Sequence, residues 1–135
     1  MTDYSKYVLK EPRGQIERDG KIIFDGILCY PKDLGTACQF HYSVVHEAHV
    51  NEATPHIHDF PIVMSFIGSN PSNIYDFDAE IEFTIGGQKQ IITTTSVITV
   101  PPGTPHCPLV FKRIGKPVVF VEIMLTNEYK RREVI

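Results

Sequence analysis

Residues 53–71 read ATPHIHDFPIVMSFIGSNP, with His56 and His58 two positions apart just ahead of an apolar run. Side chains at i and i+2 of an extended strand share a face, so this pair would offer two adjacent corners of a coordination sphere. Two histidines alone are a weak signal. Further along, Pro101-Pro102-Gly103-Thr104-Pro105 fixes a tight loop that delivers His106 onto the start of another strand. A third imidazole held so rigidly suits a preorganised ligand. Three neutral imidazoles with open positions are a known arrangement for a divalent transition metal, whether zinc, iron, nickel, manganese or copper.

The elements that must position these residues are short and extended. AEIEFTI alternates strictly, with Ile81, Phe83 and Ile85 on one face and Glu80, Glu82 and Thr84 on the other. Gly86-Gly87 then turns the chain into QKQIITTT as a hairpin. KIIFDGILCY reads as two short apolar runs around Asp25-Gly26. TACQFHYSVVH, IVMSFIG, SVITV and PVVFVEIML complete a set of segments separated by turn residues. Ten prolines suit loops and sheet edges and exclude long helices. The expectation is an all-β sandwich or barrel in a single domain over residues 1–135, with a core barrel at about 37–126 and N-terminal strands at about 20–36. A helical turn fits only the first dozen or the last ten residues.

The HxH of His56 and His58, a hairpin, and the PxGxxH ending at His106 together resemble the two motifs of the cupin superfamily, whose members are small jelly-roll β-barrels. The match runs from about Ala53 to Phe111, and GSNP, AEIEFTIGG and PPGTPHCPLVF resemble a subgroup of single-domain cupins. The resemblance implies a jelly-roll fold and metal ligation by His56, His58 and His106. It also exposes departures. The first motif usually carries a glutamate four or five residues after its second histidine, where this chain has Ile62 and Val63. The second motif usually opens with glycine and closes with asparagine, where this chain has Thr95 and Val110.

If the strand after His58 runs on without a bulge, Phe60, Ile62, Met64 and Phe66 face inward and line an apolar pocket, with Ile62 where a ligating carboxylate would point. Without that anion a bound divalent ion keeps its full charge and is held less tightly, so incomplete occupancy is expected. A substitute fourth ligand or pocket carboxylate is sought in Glu122, Glu82 and His49. Glu122 sits among apolar neighbours in PVVFVEIML, and a buried carboxylate needs a partner. Glu82 shares the polar face with Glu80 and is expected in solvent. His46 and His49 fall in a loop-like segment beside Glu47 and Glu52, from which either could swing over the cavity mouth. His41 alternates with Phe40 and Tyr42, and its facing is open. Cys107 follows His106, so strand parity sends it to the opposite side as a packing residue. Asp59 either orients an imidazole or faces water.

A net charge of −3 gives no reason to expect nucleic acid, and Lys130-Arg131-Arg132 reads as a solvated tail. No apolar run approaches the ~18 residues that span a bilayer. No signal-peptide h-region is visible, and three cysteines without CxxC spacing read as reduced, so a cytoplasmic protein is expected. Three function classes stay open: a metal-dependent enzyme of the dioxygenase, isomerase or decarboxylase kind acting on a small organic molecule; a metal- or ligand-binding module without turnover; and a metal-free structural barrel. A homodimer is expected from the cupin likeness, with KIIFDGILCY as the pairing strand.

Overall fold

The structure is a computed structural model that describes residues 2–134. After a 3-10 turn at Ser5–Tyr7 come β1 (Gly14–Arg18) and β2 (Lys21–Cys29), then a single helical turn α1 (Pro31–Leu34). The chain continues through β3 (Gln39–Val45), β4 (His49–Glu52), β5 (His56–Ile57), β6 (Ile62–Gly68), β7 (Ala79–Ile85), β8 (Gln88–Ile92), β9 (Ser96–Val100), β10 (His106–Ile114), β11 (Val118–Met124) and β12 (Arg132–Glu133). All pairings are antiparallel. One sheet has the order β1-β2-β3-β11-β6-β9; the other runs β12-β5-β10-β7-β8, with β4 also on β10. The all-β expectation holds.

Alternation in the sequence becomes burial in the fold. On β7, Ile81 and Phe83 are fully buried, while Glu80, Glu82 and Thr84 keep partial contact with solvent. On β6, Ile62, Met64 and Phe66 turn to the same interior. Phe66 stacks on Phe120 of β11 at 5.0 Å between ring centroids, and both rings meet Phe111 of β10, at 6.0 and 5.7 Å. These three rings join the two sheets into one apolar core.

Four expectations are corrected. KIIFDGILCY forms one continuous strand, β2, because the extended backbone runs straight through Asp25-Gly26 while β1 pairs on one side and β3 on the other. It is therefore interior to its sheet and not a free pairing edge. The sheet begins at Gly14, earlier than residue 20, since Asp19 and Gly20 adopt the positive φ values (53° and 75°) that close a β1–β2 hairpin. The last ten residues hold β12 on β5 where a helical turn was expected, while a turn of helix lies at Pro31–Leu34. His49 stands on β4, register-paired with Phe111, and not in a loop. No helix among the described residues is long and apolar enough to cross a membrane.

Because Phe66 is fully buried at the joint between the sheets, Phe66→Ala should destabilise the fold by about 3–5 kcal/mol. Urea denaturation followed by circular dichroism measures it. A loss below about 1 kcal/mol would mean that the site collapses around the deletion and that the aromatic joint contributes little.

Candidate metal centre

His56 and His58 flank Ile57 at the end of β5 and are both buried, at 4% and 3% exposure, while Ile57 turns partly outward. The i, i+2 geometry is therefore realised although β5 has only two residues. His106, 3% exposed, opens β10 and is the register partner of His56. The loop between the motifs is pinned from both sides. Gly103 N–H donates to the His58 carbonyl at 2.8 Å, and Gly86 N–H donates to the Pro105 carbonyl at 2.8 Å. Gly103 has φ +76°, a conformation that a side chain would strain. Ring centroids lie at 4.5 Å for His56–His106, 4.8 Å for His56–His58 and 5.0 Å for His58–His106.

Each imidazole is oriented by a backbone carbonyl. Nδ1 of His56 meets Thr54 O at 2.8 Å, Nδ1 of His106 meets Thr104 O at 3.0 Å, and Nδ1 of His58 meets Lys130 O at 2.5 Å. A carbonyl oxygen only accepts, so each Nδ1 carries the proton and each Nε2 is left with a lone pair. Burial pushes the His58 pKa down to about 4 and lowers that of His106 as well, which keeps both rings neutral near pH 7.

The donor set drawn together most tightly is His56, His106 and Cys107, whose ligand atoms all lie within 4.8 Å of one another. His58 stands outside that set, its ring stacked on Phe60 at 4.6 Å and met edge-on by Tyr129 at 4.9 Å. The inward position of Cys107 corrects the parity expectation. Cys107 has φ +79°, and the β10–β7 register shifts between His106 and Leu109, so alternation fails at that residue. Both His106 and Cys107 then border the same cavity. Burial pushes the Cys107 thiol up to about 12, so it is a protonated, non-ligating sulfur until a cation displaces its proton.

The cavity has a volume of about 320 Å³, within the range of small-molecule sites. His56, His106, Cys107, Glu52 and Tyr129 border it from one side, and Gln39, His41, Met64, Phe120, Glu122 and Met124 from the other sheet. Of the expected lining residues Phe60, Ile62, Met64 and Phe66, only Met64 reaches it. The inward face of β6 is right, but Phe60, Ile62 and Phe66 are consumed by core packing. Glu82 points away, ion-paired with Lys89 at 3.6 Å, and His49 lies flat on Phe111 beside a different cavity. Asp59 is exposed, facing Arg132 at 3.6 Å, and His46 is exposed too.

Glu122 does reach the cavity, and burial raises its pKa to about 7. Two further residues carry site chemistry that the sequence did not disclose. Glu52 accepts from Thr54 N–H at 3.0 Å and from Arg131 at 3.0 Å. Burial opposes its ionisation, but those two donors outweigh it and hold the pKa below the usual carboxylate value. Arg131 is thus not part of a solvated tail: β12, Tyr129 and the Lys130 carbonyl dock the C-terminal segment over the histidines. Nothing local in Lys130-Arg131-Arg132 signals this. His41 likewise turns inward, where burial lowers its pKa to about 4.

The chain matches no protein-family model and no curated protein. Solved structures do resemble it. A cupin 2 conserved barrel domain protein from Rhodopseudomonas palustris is 14% identical, with 90% of this chain and 75% of that one covered at a TM-score of 0.54. The polyketide cyclase RemF from Streptomyces resistomycificus is 15% identical, with 94% and 77% covered at 0.55. A point mutant of Bacillus subtilis oxalate decarboxylase is 17% identical at 0.56; this chain is 90% covered but spans only 30% of that one. The fold is a cupin barrel. Within this cupin frame the departures have structural employment. Ile62, at the glutamate position, is 2% exposed between Met124 and Val100. Thr95 accepts from Gly68 N–H at 2.9 Å and donates to the Ile74 carbonyl, tying β6 to the loop before β7. Val110 pairs with Glu82 and Val50.

Glu122 and His41 affect stability with opposite signs over overlapping pH ranges. Folded Glu122 keeps its proton to about pH 7, against an ordinary glutamate value of 4.5, so stability falls as pH rises from 4.5 to 7. His41 titrates at about 4 against 6.5, so its contribution is lost as pH falls from 6.5 to 4. Glu122→Gln should therefore gain about 1–3 kcal/mol over wild type on going from pH 4.5 to pH 8. Urea midpoints at both values measure the difference, and a pH-independent effect of the substitution would show that Glu122 titrates as a solvated carboxylate.

Proposed function

We propose that this cupin barrel is a metal-dependent enzyme for a small, largely apolar organic molecule, with His56, His58 and His106 holding a divalent transition metal through Nε2. The observation that carries this reading is the common tautomer of the three rings: every Nδ1–H is committed to a backbone carbonyl, which leaves each Nε2 a lone pair, with His58 beside the tightest donor set rather than within it. That chemistry fits zinc, iron, nickel, copper or manganese. When bound, such an ion supplies Lewis acidity at full charge, because no carboxylate ligand dilutes it. Cys107 is a reserve ligand, engaged only on loss of its proton.

The chain's own residues supply the rest. Met64, Leu109, Phe120 and Met124 give the cavity an apolar lining. Glu122 is the carboxyl suited to hold or move a proton at its oxygens, since burial brings its pKa to about 7, where it exchanges a proton near neutral pH. Glu52 is poor in that role because Arg131 and Thr54 fix it as an anion. The non-catalytic binding module is the weaker reading, given a proton-carrying group in the same cavity. A homodimer belongs to the proposal, formed through an outermost strand such as β1 or β9 rather than through β2.

Elemental analysis of protein purified without a histidine tag, after loading with one metal at a time, tests the site. His106→Ala should weaken metal affinity by more than about 100-fold, beyond what loss of an outer orienting partner costs, and Cys107→Ser should change it little. Metal content indifferent to His106→Ala would overturn the assignment. For catalysis, oxygen uptake and product analysis with aromatic acids and diketones should find turnover that Glu122→Gln lowers about 10²–10⁴-fold. Full metal loading with no turnover across the panel leaves the binding module.

A further inference from the structure

The cavity wall opposite the histidines carries polar groups that the metal reading does not use. Gln39 is 4% exposed, yet its Oε1 is a buried acceptor with no hydrogen-bond partner among the described residues. Its amide Nε2–H donates to His41 Nε2 at 2.7 Å. That nitrogen must accept, so the His41 proton sits at Nδ1. His41 is the register partner of Glu122, and Gln39 that of Met124, which puts Gln39, His41 and Glu122 on one face of β3 and β11. All three border the 320 Å³ cavity, among Phe24, Met64 and Phe120.

We propose that Gln39, His41 and Glu122 form a hydroxyl-binding subsite, which selects a neutral, mainly apolar ligand bearing an alcohol or phenol on the side away from the histidine cluster. A buried acceptor left unpaired is costly, and most such groups in folded proteins have a partner. A hydroxyl donates one hydrogen bond and accepts others, so it satisfies Gln39 Oε1 and still meets a donor or acceptor at His41 or Glu122. An ionised ligand group is disfavoured beside the subsite: β3 and β11 place no Lys or Arg there, and Arg18, which borders the same cavity from β1, donates to the Asn51 carbonyl at 3.4 Å. A group that binds hydroxyl by hydrogen bonding rejects the analogue without it more strongly than an apolar pocket rejects an added hydroxyl.

The subsite rests on the cavity being a small-molecule site, as proposed above, but not on a metal being bound. The test uses 2-naphthol, 2-methylnaphthalene and 2-naphthoate as fluorescent probes, since the chain has no tryptophan to mask them. Each is titrated into the purified protein with and without saturating zinc. The expected result is 2-naphthol about tenfold tighter than 2-methylnaphthalene, in line with one net hydrogen bond, and 2-naphthoate weakest. That ratio should be the same in both metal states and should vanish in Gln39→Leu while 2-methylnaphthalene binds as before. Gln39→Met replaces the leucine variant if the latter shows no cooperative melt. Equal binding of the two neutral probes by wild type, or an unchanged ratio in the variants, overturns the subsite. A preference that exists only with zinc also overturns it, because the hydroxyl then sits on the metal, and the metal-site proposal survives. Failure of that proposal reads out separately, as metal content indifferent to His106→Ala.

Discussion

An imidazole offers a lone pair at Nε2 only while its proton is kept at Nδ1, and here that choice is made by backbone carbonyls at Thr54, Thr104 and Lys130. Each carbonyl is itself fixed by the fold. Thr54 and Thr104 lie two residues before the histidines they orient, so those two bonds come from the local path of the chain. The third crosses 72 residues of sequence and depends on β12 pairing with β5. Without it, His58 would be free to choose the other tautomer. The C-terminal segment thus contributes no ligand, yet it governs what one candidate ligand can do.

Charge follows from the same arrangement. Burial of His58 and His106 disfavours imidazolium, so those two rings gain nothing by protonation near neutral pH. The acid that the cupin pattern would supply is absent, its position occupied by Ile62 inside the core. The two remaining cavity carboxylates behave differently because their surroundings differ. Glu52 has a guanidinium and an N–H; Glu122 has an apolar sheet and an uncharged imidazole across the strand. Two chemically similar side chains therefore settle into opposite protonation preferences across one small cavity, one anion and one poised acid.

Much of this was legible in the sequence, for reasons that are local. The period of two in AEIEFTI, the Gly86-Gly87 turn and the PPGTPH loop each act over a few residues, and each appears in the structure where expected. What stayed hidden depends on long-range pairing or broken periodicity. Cys107 turns inward because its backbone leaves the strand conformation, an event that the letters HCP do not announce. Arg131 and Lys130 look like any solvated basic run until the strand they belong to finds β5. The parity argument for β6 placed Phe60, Ile62, Met64 and Phe66 on the right face. It had no means of telling core from cavity, since both lie on that face and only the distance to the facing sheet separates them.

The cavity also bears on why such a small barrel is not packed solid. Filling it with larger apolar side chains at Met64 or Met124 would add buried area, worth roughly 25 cal/mol per Å². The chain instead keeps thioethers there, which adapt to irregular space. It also places an amide acceptor, an imidazole and a carboxyl where each loses hydration on folding. None of those three residues props up the aromatic joint of Phe66, Phe111 and Phe120, which closes the core without them. Stability is concentrated at that joint and at the strand ladders, which leaves the open end of the barrel able to carry polar groups at a cost the rest of the fold absorbs. Their placement on one face of β3 and β11, opposite the histidines, is what a recognition surface requires and what packing alone does not explain.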